Sequence, residues 1–263
     1  MKCLGWLMLG AMLASAPLLR ADEWSKTYSI SGQPDLRIET SDANIKVDTW
    51  DQNSIQARVT SGRYKIGNGG IQIVEHQTGD TVELEVREPH HYFIVQIGSS
   101  RIDVEIHMPR QGHLKVHTGD GSIEVSNLKG DMDVETGDGH QDINSVDGTL
   151  KARSGDGHIS ASGRFDGLRM ETGDGRIEAR AQAGSTMASN WELRTGDGSV
   201  RLQLPENFAA DVDLHTSDGH INVDLPVAVE GRLGEKNIHG KINGGGNLLT
   251  VHTGDGSIEI EKL

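Results

Sequence analysis

The chain has 263 residues, a formal net charge of −14 at pH 7 and a single cysteine. Because nucleic acids and anionic lipids are bound chiefly through Lys and Arg, this acidic balance argues against DNA, RNA or an anionic membrane surface as partner. Glycine accounts for 34 residues, well above the usual ~7%, and it recurs at regular intervals. Such glycine predicts a turn-rich repeat protein and argues against disorder.

The first 21 residues have the pattern of a secretory signal peptide. Lys2 supplies a positive start, 4–13 is an uncharged apolar run shorter than a membrane span, and Ala21 is a small residue before Asp22. We expect cleavage after Ala21 and export to the periplasm, the cell surface or the extracellular space, with no transmembrane span in the mature chain. An uncleaved N-terminal anchor is the alternative.

Cleavage at that point would change the composition. It removes two basic residues and leaves 23 basic against 39 acidic residues, a net charge of −16. It also removes Cys3, so the mature protein can form neither a disulfide nor a Cys-ligated metal centre.

Residues 22–112 alternate apolar and polar side chains as β-strands do, but they lack a regular repeat. Two short strands around Thr40-Ser41-Asp42-Ala43 predict one coil with a degenerate turn. Because the open end of a repeat stack must be covered, we expect this region to form an antiparallel β cap. Longer strands are predicted at 54–59, 71–76, 81–87 and 101–107.

Residues 113–263 are built on a recurring four-residue turn, Thr-Gly-Asp-Gly. The first four turn aspartates lie 18 positions apart, and later ones follow at 23, 21 and 37 positions. In a tight corner Asp bonds nearby backbone and Gly accepts a positive φ, so we expect positive φ at Gly157 and Gly175. The turn residues are Gly119, Asp120, Gly121, Gly137, Asp138, Gly139, Gly155, Asp156, Gly157, Gly173, Asp174, Gly175, Gly196, Asp197, Gly198, Asp218, Gly219, Gly254, Asp255 and Gly256.

Both flanks of each turn alternate with period two, so each unit has two strands and two corners. An antiparallel meander and a solenoid of stacked coils both fit this pattern. The residues just before successive turns alternate in charge: Glu135, Arg153, Glu171 and Arg194. Stacked ~4.8 Å apart they would form a ladder of opposite charges, which favours the solenoid. The predicted fold class is therefore all-β, a β-solenoid of ~18-residue coils with an N-terminal antiparallel β cap.

Three further features belong to the repeat region. Residues 231–246 contain six glycines and predict a loop. The final unit, 256–263, ends on a strand, so we expect it to be the exposed end of the stack, blunted by charged side chains and leaving a monomer. Gln141 occupies a position filled by Ile in other units, and a buried amide there needs hydrogen-bond partners.

The column of turn aspartates is a candidate for cation binding. A row of Ca²⁺ sites would use carboxylate oxygens, whereas the alternative makes these aspartates structural corner residues. Neither the calcium-binding Gly-Gly-x-Gly-x-Asp repeat nor EF-hand spacing occurs. We therefore favour the structural role and expect no cofactor, with calcium as the alternative at Asp120, Asp138, Asp156 and Asp174.

Histidines offer a second candidate site. His140 and His158 share a column beside turn aspartates, and two imidazoles with carboxylates suit a transition metal. We favour instead solvent-facing side chains that offset the acidic column.

Catalysis has little support, because the chain has no Gly-x-Ser-x-Gly elbow and the mature chain no Cys nucleophile. The enzyme alternative, a polysaccharide lyase or hydrolase, predicts a groove with unpaired carboxylates of shifted pKa. A binding protein predicts exposed aromatic contacts instead, with Tyr92, Phe93 and Trp191 as candidates.

Several motifs together resemble the DUF4097 family of bacterial β-repeat proteins: the signal peptide, Val47-Asp48-Thr49-Trp50-Asp51 before a strand, Met108-Pro109, and the serial turns. The resemblance covers about residues 30–263 and implies a β-solenoid, an envelope location, an adhesin-like role and no catalytic residues. We predict a non-catalytic exported scaffold or adhesin-like protein that binds an unknown envelope protein or glycan. The alternatives are a polysaccharide-active enzyme and a self-associating structural element.

Overall fold

The computed structural model describes residues 22–62, 64–89, 101–229 and 236–263, and every regular element in these ranges is a β-strand. Within them, no helix has the length and apolar character needed to cross a membrane. The expected signal peptide, residues 1–21, lies outside the described ranges.

The strands alternate buried and exposed side chains, as period-two sequence requires. The first ten are β1 Asp22–Ser29, β2 Asp35–Thr40, β3 Asn44–Trp50, β4 Ser54–Ser61, β5 Gln72–Thr78, β6 Thr81–Arg87, β7 Ile102–Pro109, β8 His113–Thr118, β9 Ile123–Ser126 and β10 Lys129–Thr136. The others are β11 Gln141–Ser154, β12 Ile159–Thr172, β13 Ile177–Ala181, β14 Trp191–Thr195, β15 Val200–Leu204, β16 Ala210–Thr216, β17 Ile221–Val223, β18 Val227–Val229, β19 Asn237–Ile242, β20 Leu248–Thr253 and β21 Ile258–Lys262.

Two stacks of strands enclose one core. The front sheet holds the strands that precede each Thr-Gly-Asp-Gly corner, and the back sheet holds those that follow it. The long strands β11 and β12 pass from the back sheet to the front sheet through the second corner of their coils. The front order is β5, β6, β2, β8, β10, β11, β12, β14, β20, β16, β19, β18. The back order is β1, β4, β7, β3, β9, β11, β12, β13, β15, β21, β17.

Equivalent residues of neighbouring coils lie side by side in parallel register. Glu135 pairs with Arg153, Arg153 with Glu171, and Glu171 with Arg194. The solenoid is therefore confirmed, and the hairpin meander is wrong for the repeat region. Inward-facing side chains stack in the same way and form one continuous core, in which burying each large apolar side chain contributes roughly 1.5–3 kcal/mol. One such buried row is Val116, Val134, Ala152, Met170, Leu193, Val251 and Leu214.

The spatial order of the coils differs from the chain order at both ends. The coil of β2 and β3 lies between the β6–β7 and β8–β9 coils, and the last coil, β20–β21, lies between β14–β15 and β16–β17. The expectation that the final unit is an exposed end is therefore wrong. Ile258 pairs with Val200 on one side and with Ile221 on the other, so the backbone of β21 is paired along both edges.

Antiparallel strands occupy the two ends of the stack. At one end β1 pairs with β4 and β4 with β7, while β5 pairs with β6; at the other, β19 pairs with β16 and β18. The predicted Gly-rich loop over 231–246 is wrong in part, because β19 lies within it. Buried and more exposed residues alternate along β19, where Gly240 is buried as Ile238 and Ile242 are. Residues 230–235 lie outside the described ranges.

Candidate functional site

The threonine of each corner joins one coil to the next. The Thr136 side chain is buried, and its Oγ1 donates a hydrogen bond to the carbonyl oxygen of Gly121 at 2.9 Å. Hydroxyls also accept from their own corner, as when Gly198 N donates to Oγ1 of Thr195 at 3.2 Å. Because a buried hydroxyl without partners is costly, this double bonding explains why the position holds Thr or Ser.

The corner glycines are required by close approach between coils. Gly157 and Gly175 do not have positive φ, so that prediction is wrong. Instead, a Cβ on Gly157 would overlap the carbonyl oxygen of Gly139, and one on Gly175 would overlap that of Gly157. Within these coils, glycines with positive φ occur instead at the second corner, as at Gly130 (138°) and Gly148 (137°).

The turn aspartates project into solvent, one per coil. Their column runs Asp42, Asp120, Asp138, Asp156, Asp174, Asp197, Asp255 and Asp218 in spatial order. The described residues contain no group of three or more His, Cys, Asp or Glu arranged to hold a metal ion. The calcium alternative at Asp120, Asp138, Asp156 and Asp174 therefore remains an untested prediction, while the Thr and Gly contacts account for the recurring turn.

One carboxyl at the start of this column has an unusual environment. Burial, and then the charge of Asp42, raise the pKa of Glu88 above its usual range. Glu88 is the one carboxyl group among the described residues whose pKa is raised. The enzyme alternative predicts such a group in a groove, but Glu88 does not line any of five grooves found on the described surface.

His140 and His158 are exposed, and their rings stack with centroids 5.2 Å apart and an interplanar angle of 9°. Arg176 N donates to Nδ1 of His158 at 2.9 Å, and His158 N lies 3.4 Å from Nδ1 of His140. In this arrangement Nδ1 is the acceptor, so each ring contacts the backbone of the next coil through that nitrogen.

Gln141 is buried between Ile123 and Ile159 of the neighbouring coils, with 1% of its surface exposed. Its Nε2 donates to the carbonyl oxygen of Arg153, but its Oε1 has no hydrogen-bond partner. The amide is therefore only half satisfied and weakens this part of the stack.

The outer face of the front sheet is covered by ion pairs between coils. Arg153 bonds Glu135 at 2.6 Å, and this bond holds the pKa of Glu135 below its usual range. Arg169 likewise reaches Glu192 at 3.1 Å. Of the predicted charge ladder, the Glu135–Arg153 pair forms between coils, whereas Glu171 pairs with Arg169 and Arg194 with Glu192 of their own strands.

The aromatic contacts expected for a binding protein are not where the sequence placed them. Trp191 is fully buried and packs on Phe208, with centroids 5.0 Å apart, so that prediction is wrong. Its side chain points into the core because residues at the same register position of the front sheet face inward. Tyr92 and Phe93 lie outside the described residues.

Trp50 is the half-buried aromatic that lines a groove near the N-terminal end of the stack. Its Nε1 donates to the carbonyl oxygen of Ser54 at 2.8 Å, and its ring stacks on His107 with centroids 5.4 Å apart. The groove has a volume of about 440 Å³. In the sequence, Trp50 stands out only as part of the family motif Val47-Asp48-Thr49-Trp50-Asp51; its place just before the polar run Asp51-Gln52-Asn53 is the local signal for such a groove.

The rest of the groove is polar. Arg110 bonds Asp51 at 2.6 Å and holds the pKa of that carboxyl below its usual range. The exposed amide side chains of Gln52, Asn53 and Gln111 line the groove as well. The site therefore combines one fixed indole, a neutralised ion pair and free amide groups.

Comparison with known proteins gives one family match. The family model described as Toastrack DUF4097 matches residues 35–261. Among solved structures, the chain is similar to a proposed cell adhesion protein from Clostridium sporogenes, at 16% identity and TM-score 0.44 over 93% of this chain and 100% of that one. It is also similar to a proposed lipid-binding protein from Parabacteroides distasonis, at 13% identity and TM-score 0.42 over 91% and 96%. No curated protein matches the sequence.

Proposed function

Because the chain belongs to the Toastrack DUF4097 family, we propose that it is a non-catalytic, exported scaffold or adhesin-like protein that binds an envelope protein or glycan. One observation carries this proposal: the recurring turn is accounted for by coil stacking. Its threonines bond across coils, its glycines allow close approach, and its aspartates point separately into solvent. The repeat thus builds an extended surface and gathers no reacting centre.

The Trp50 groove is the part of that surface best suited to a neutral glycan. The hydrogen bond to Ser54 and the stack on His107 fix the indole before any ligand arrives, which lowers the entropic cost of binding. Sugar C–H groups pack on indole, and amides such as Asn53 can both donate to and accept from hydroxyls. The Arg110–Asp51 pair leaves the groove without strong net charge.

A glycan array and a pull-down from envelope extract test the proposal on the mature chain. We expect Trp50→Ala to lose the captured ligand, whereas Asn222→Ala, an exposed change at the other end of the stack, should retain it. Equal binding by Trp50→Ala would remove the groove from the proposal and leave the binding role. Absence of any ligand in both screens would contradict the binding role itself.

Export is a separate part of the proposal and has its own test. It is supported by the N-terminal sequence pattern. We expect N-terminal sequencing of envelope material to begin at Asp22, and an intact Met1 in the membrane fraction would contradict it.

The polysaccharide-active alternative rests on the Glu88–Asp42 pair, since a carboxyl of raised pKa near a second carboxylate is typical of glycosidases. A reducing-end assay on envelope polysaccharides, with Glu88→Gln as the control, distinguishes it. We expect no turnover by either protein. Turnover that Glu88→Gln abolishes would favour the enzyme.

We also propose that the mature protein is a monomer. Support comes from the strands at the C-terminal end of the stack, where β17 and β18 are three residues each and offer little edge for another chain. Sedimentation across a salt series should give one monomeric species; a stable dimer at low salt would favour self-association.

A further inference from the structure

The front sheet gathers histidines from three separate segments near its C-terminal end. Antiparallel pairing of β16 with β19 places Asp213 opposite His239, and parallel pairing of β16 with β20 places His215 beside His252. All four side chains point outward, because the residues that alternate with them are buried. The cluster exists only because the last coil is inserted next to β16.

The distances around Asp213 are close to those of a metal site. Its Oδ1 lies 3.2 Å from Nδ1 of His239, and its Oδ2 lies 3.7 Å from Nε2 of His252. Two ligands that share a tetrahedral Zn²⁺ at about 2.0–2.1 Å are roughly 3.3 Å apart. The side chains do not enclose an ion position as they stand, so metal binding requires the imidazole rings to rotate toward one another.

His252 supplies an independent sign of a missing ligand. Its Nε2 is buried and has no hydrogen-bond partner, because 3.7 Å to Asp213 is too long for a hydrogen bond. Buried polar atoms nearly always have a partner. A metal ion held between this nitrogen and the Asp213 carboxylate would satisfy both groups.

His215 pairs with His252 in register and is the candidate fourth ligand. Its ring is nearly perpendicular to that of His252, with centroids 5.7 Å apart. Its Nδ1 is 2.5 Å from Oδ1 of Asn237, an acceptor, so Nδ1 carries the proton and Nε2 keeps its lone pair. A hydrogen bond of this kind orients metal-binding histidines.

The surrounding charges permit a cation. Arg194 neighbours His252 on β14, but it forms an ion pair with Glu192 of its own strand. On the other side, Asp211 faces Lys241 across β16 and β19. The positive side chains of Arg194 and Lys241 thus each have a carboxylate close by, and Asp213 adds a negative charge at the centre of the cluster.

We propose that Asp213, His239 and His252, with His215 as a fourth ligand, bind Zn²⁺ or a similar divalent transition metal. Imidazole and carboxylate donors suit these ions, whereas Ca²⁺ and Mg²⁺ prefer oxygen ligands alone. The site is distinct from the acidic column and from the Trp50 groove, so a test of metal binding is independent of the proposed function.

Calorimetric titration of Zn²⁺ into the metal-free mature protein at neutral pH tests the site. We expect one equivalent to bind, and Asp213→Asn with His239→Ala to weaken the affinity at least tenfold. The matched control is His140→Ala with His158→Ala, which removes the other exposed histidine pair and should leave the affinity unchanged. Thermal unfolding gives a second measurement: Zn²⁺ should raise the midpoint of the wild type and the control but not of the site variant.

Three results would overturn the proposal. These are no stoichiometric Zn²⁺ binding by the wild type, equal affinity in the site variant, or loss of binding in the control pair. His252→Gln gives a milder second variant should the double substitution unfold, and it should also lose at least tenfold in affinity.

Discussion

Lys236 lies over the last corner of the stack, with its Nζ 3.0 Å from Oδ1 of Asp218 and bonded to the carbonyl oxygen of Ser217. In an interior corner the equivalent carbonyl accepts from the next coil, as Gly137 O does from Gly155 N at 2.5 Å. Within the described residues no coil follows that of Asp218. Lys236 therefore replaces the missing N–H, and its charge offsets the end of the acidic column.

Lys236→Met should lower the thermal midpoint slightly, because it leaves the Ser217 carbonyl without this donor. The side chains are half exposed or more, so we expect less than about 1 kcal/mol. Lys236→Arg keeps a charged donor and is the matched control. Identical midpoints for all three proteins would show that the corner needs no terminal partner.

Gly175→Ala should destabilise the fold by about 1–3 kcal/mol or more, because its Cβ would overlap the carbonyl oxygen of the coil beside it. Gly62→Ala is the matched control, since a Cβ there meets nothing within 4 Å. Gly175→Asn separates the two explanations: Asn tolerates positive φ, yet it should be as damaging as Ala. Chemical denaturation measures all three, and a mild effect of Asn would restore the φ explanation.

Gln141→Leu should stabilise the protein by about 1 kcal/mol. It removes a buried Oε1 that has no partner and extends the apolar row between Ile123 and Ile159, at the loss of one hydrogen bond to Arg153. The reciprocal change, Ile159→Gln, should destabilise. A lower thermal midpoint for Gln141→Leu would mean that the amide is satisfied by water.

Glu88→Gln should raise the thermal midpoint at pH 7.5 and have little effect near pH 4. The pKa of Glu88 is raised in the folded protein, so its stabilising contribution is complete below the unfolded-state pKa and is lost as pH rises through the folded-state pKa. At neutral pH the carboxylate is therefore unfavourable, and Gln removes that cost. Asp42→Asn removes the second cause and should give a smaller gain in the same direction; a gain that persists at pH 4 would contradict the assignment.

Local pattern was enough to predict the strands, the corners and their stacking. Period two fixed which side chains face inward, and the alternation from Glu135 to Arg194 indicated parallel register. The same pattern could not reveal which coils are neighbours, because Thr253 and Thr216 begin nearly identical turns and either could follow Thr195. That choice depends on pairing between strands far apart in sequence.

The candidate sites were harder to predict for the same reason. In the sequence, a turn glycine that is needed for positive φ cannot be told from one that is needed for close approach. At Gly157 the carbonyl oxygen of the neighbouring coil shows that close approach is the reason. The cluster of Asp213, His239 and His252 draws on three strands whose adjacency the sequence does not encode locally. Gln141, by contrast, was recognisable as an exception within an otherwise apolar column.

The position of β20 and β21 in the interior of the stack sets an order of events during biogenesis. The coil of β16 and β17 has no place to dock until β20 and β21 are present, because its parallel partner in both sheets is this later segment. A chain that emerges N-terminus first can therefore complete its N-terminal coils early, but not this end. Loss of the final fifteen or so residues would open a gap between two coils instead of shortening the rod, so a small C-terminal truncation should be as damaging as the removal of an interior repeat.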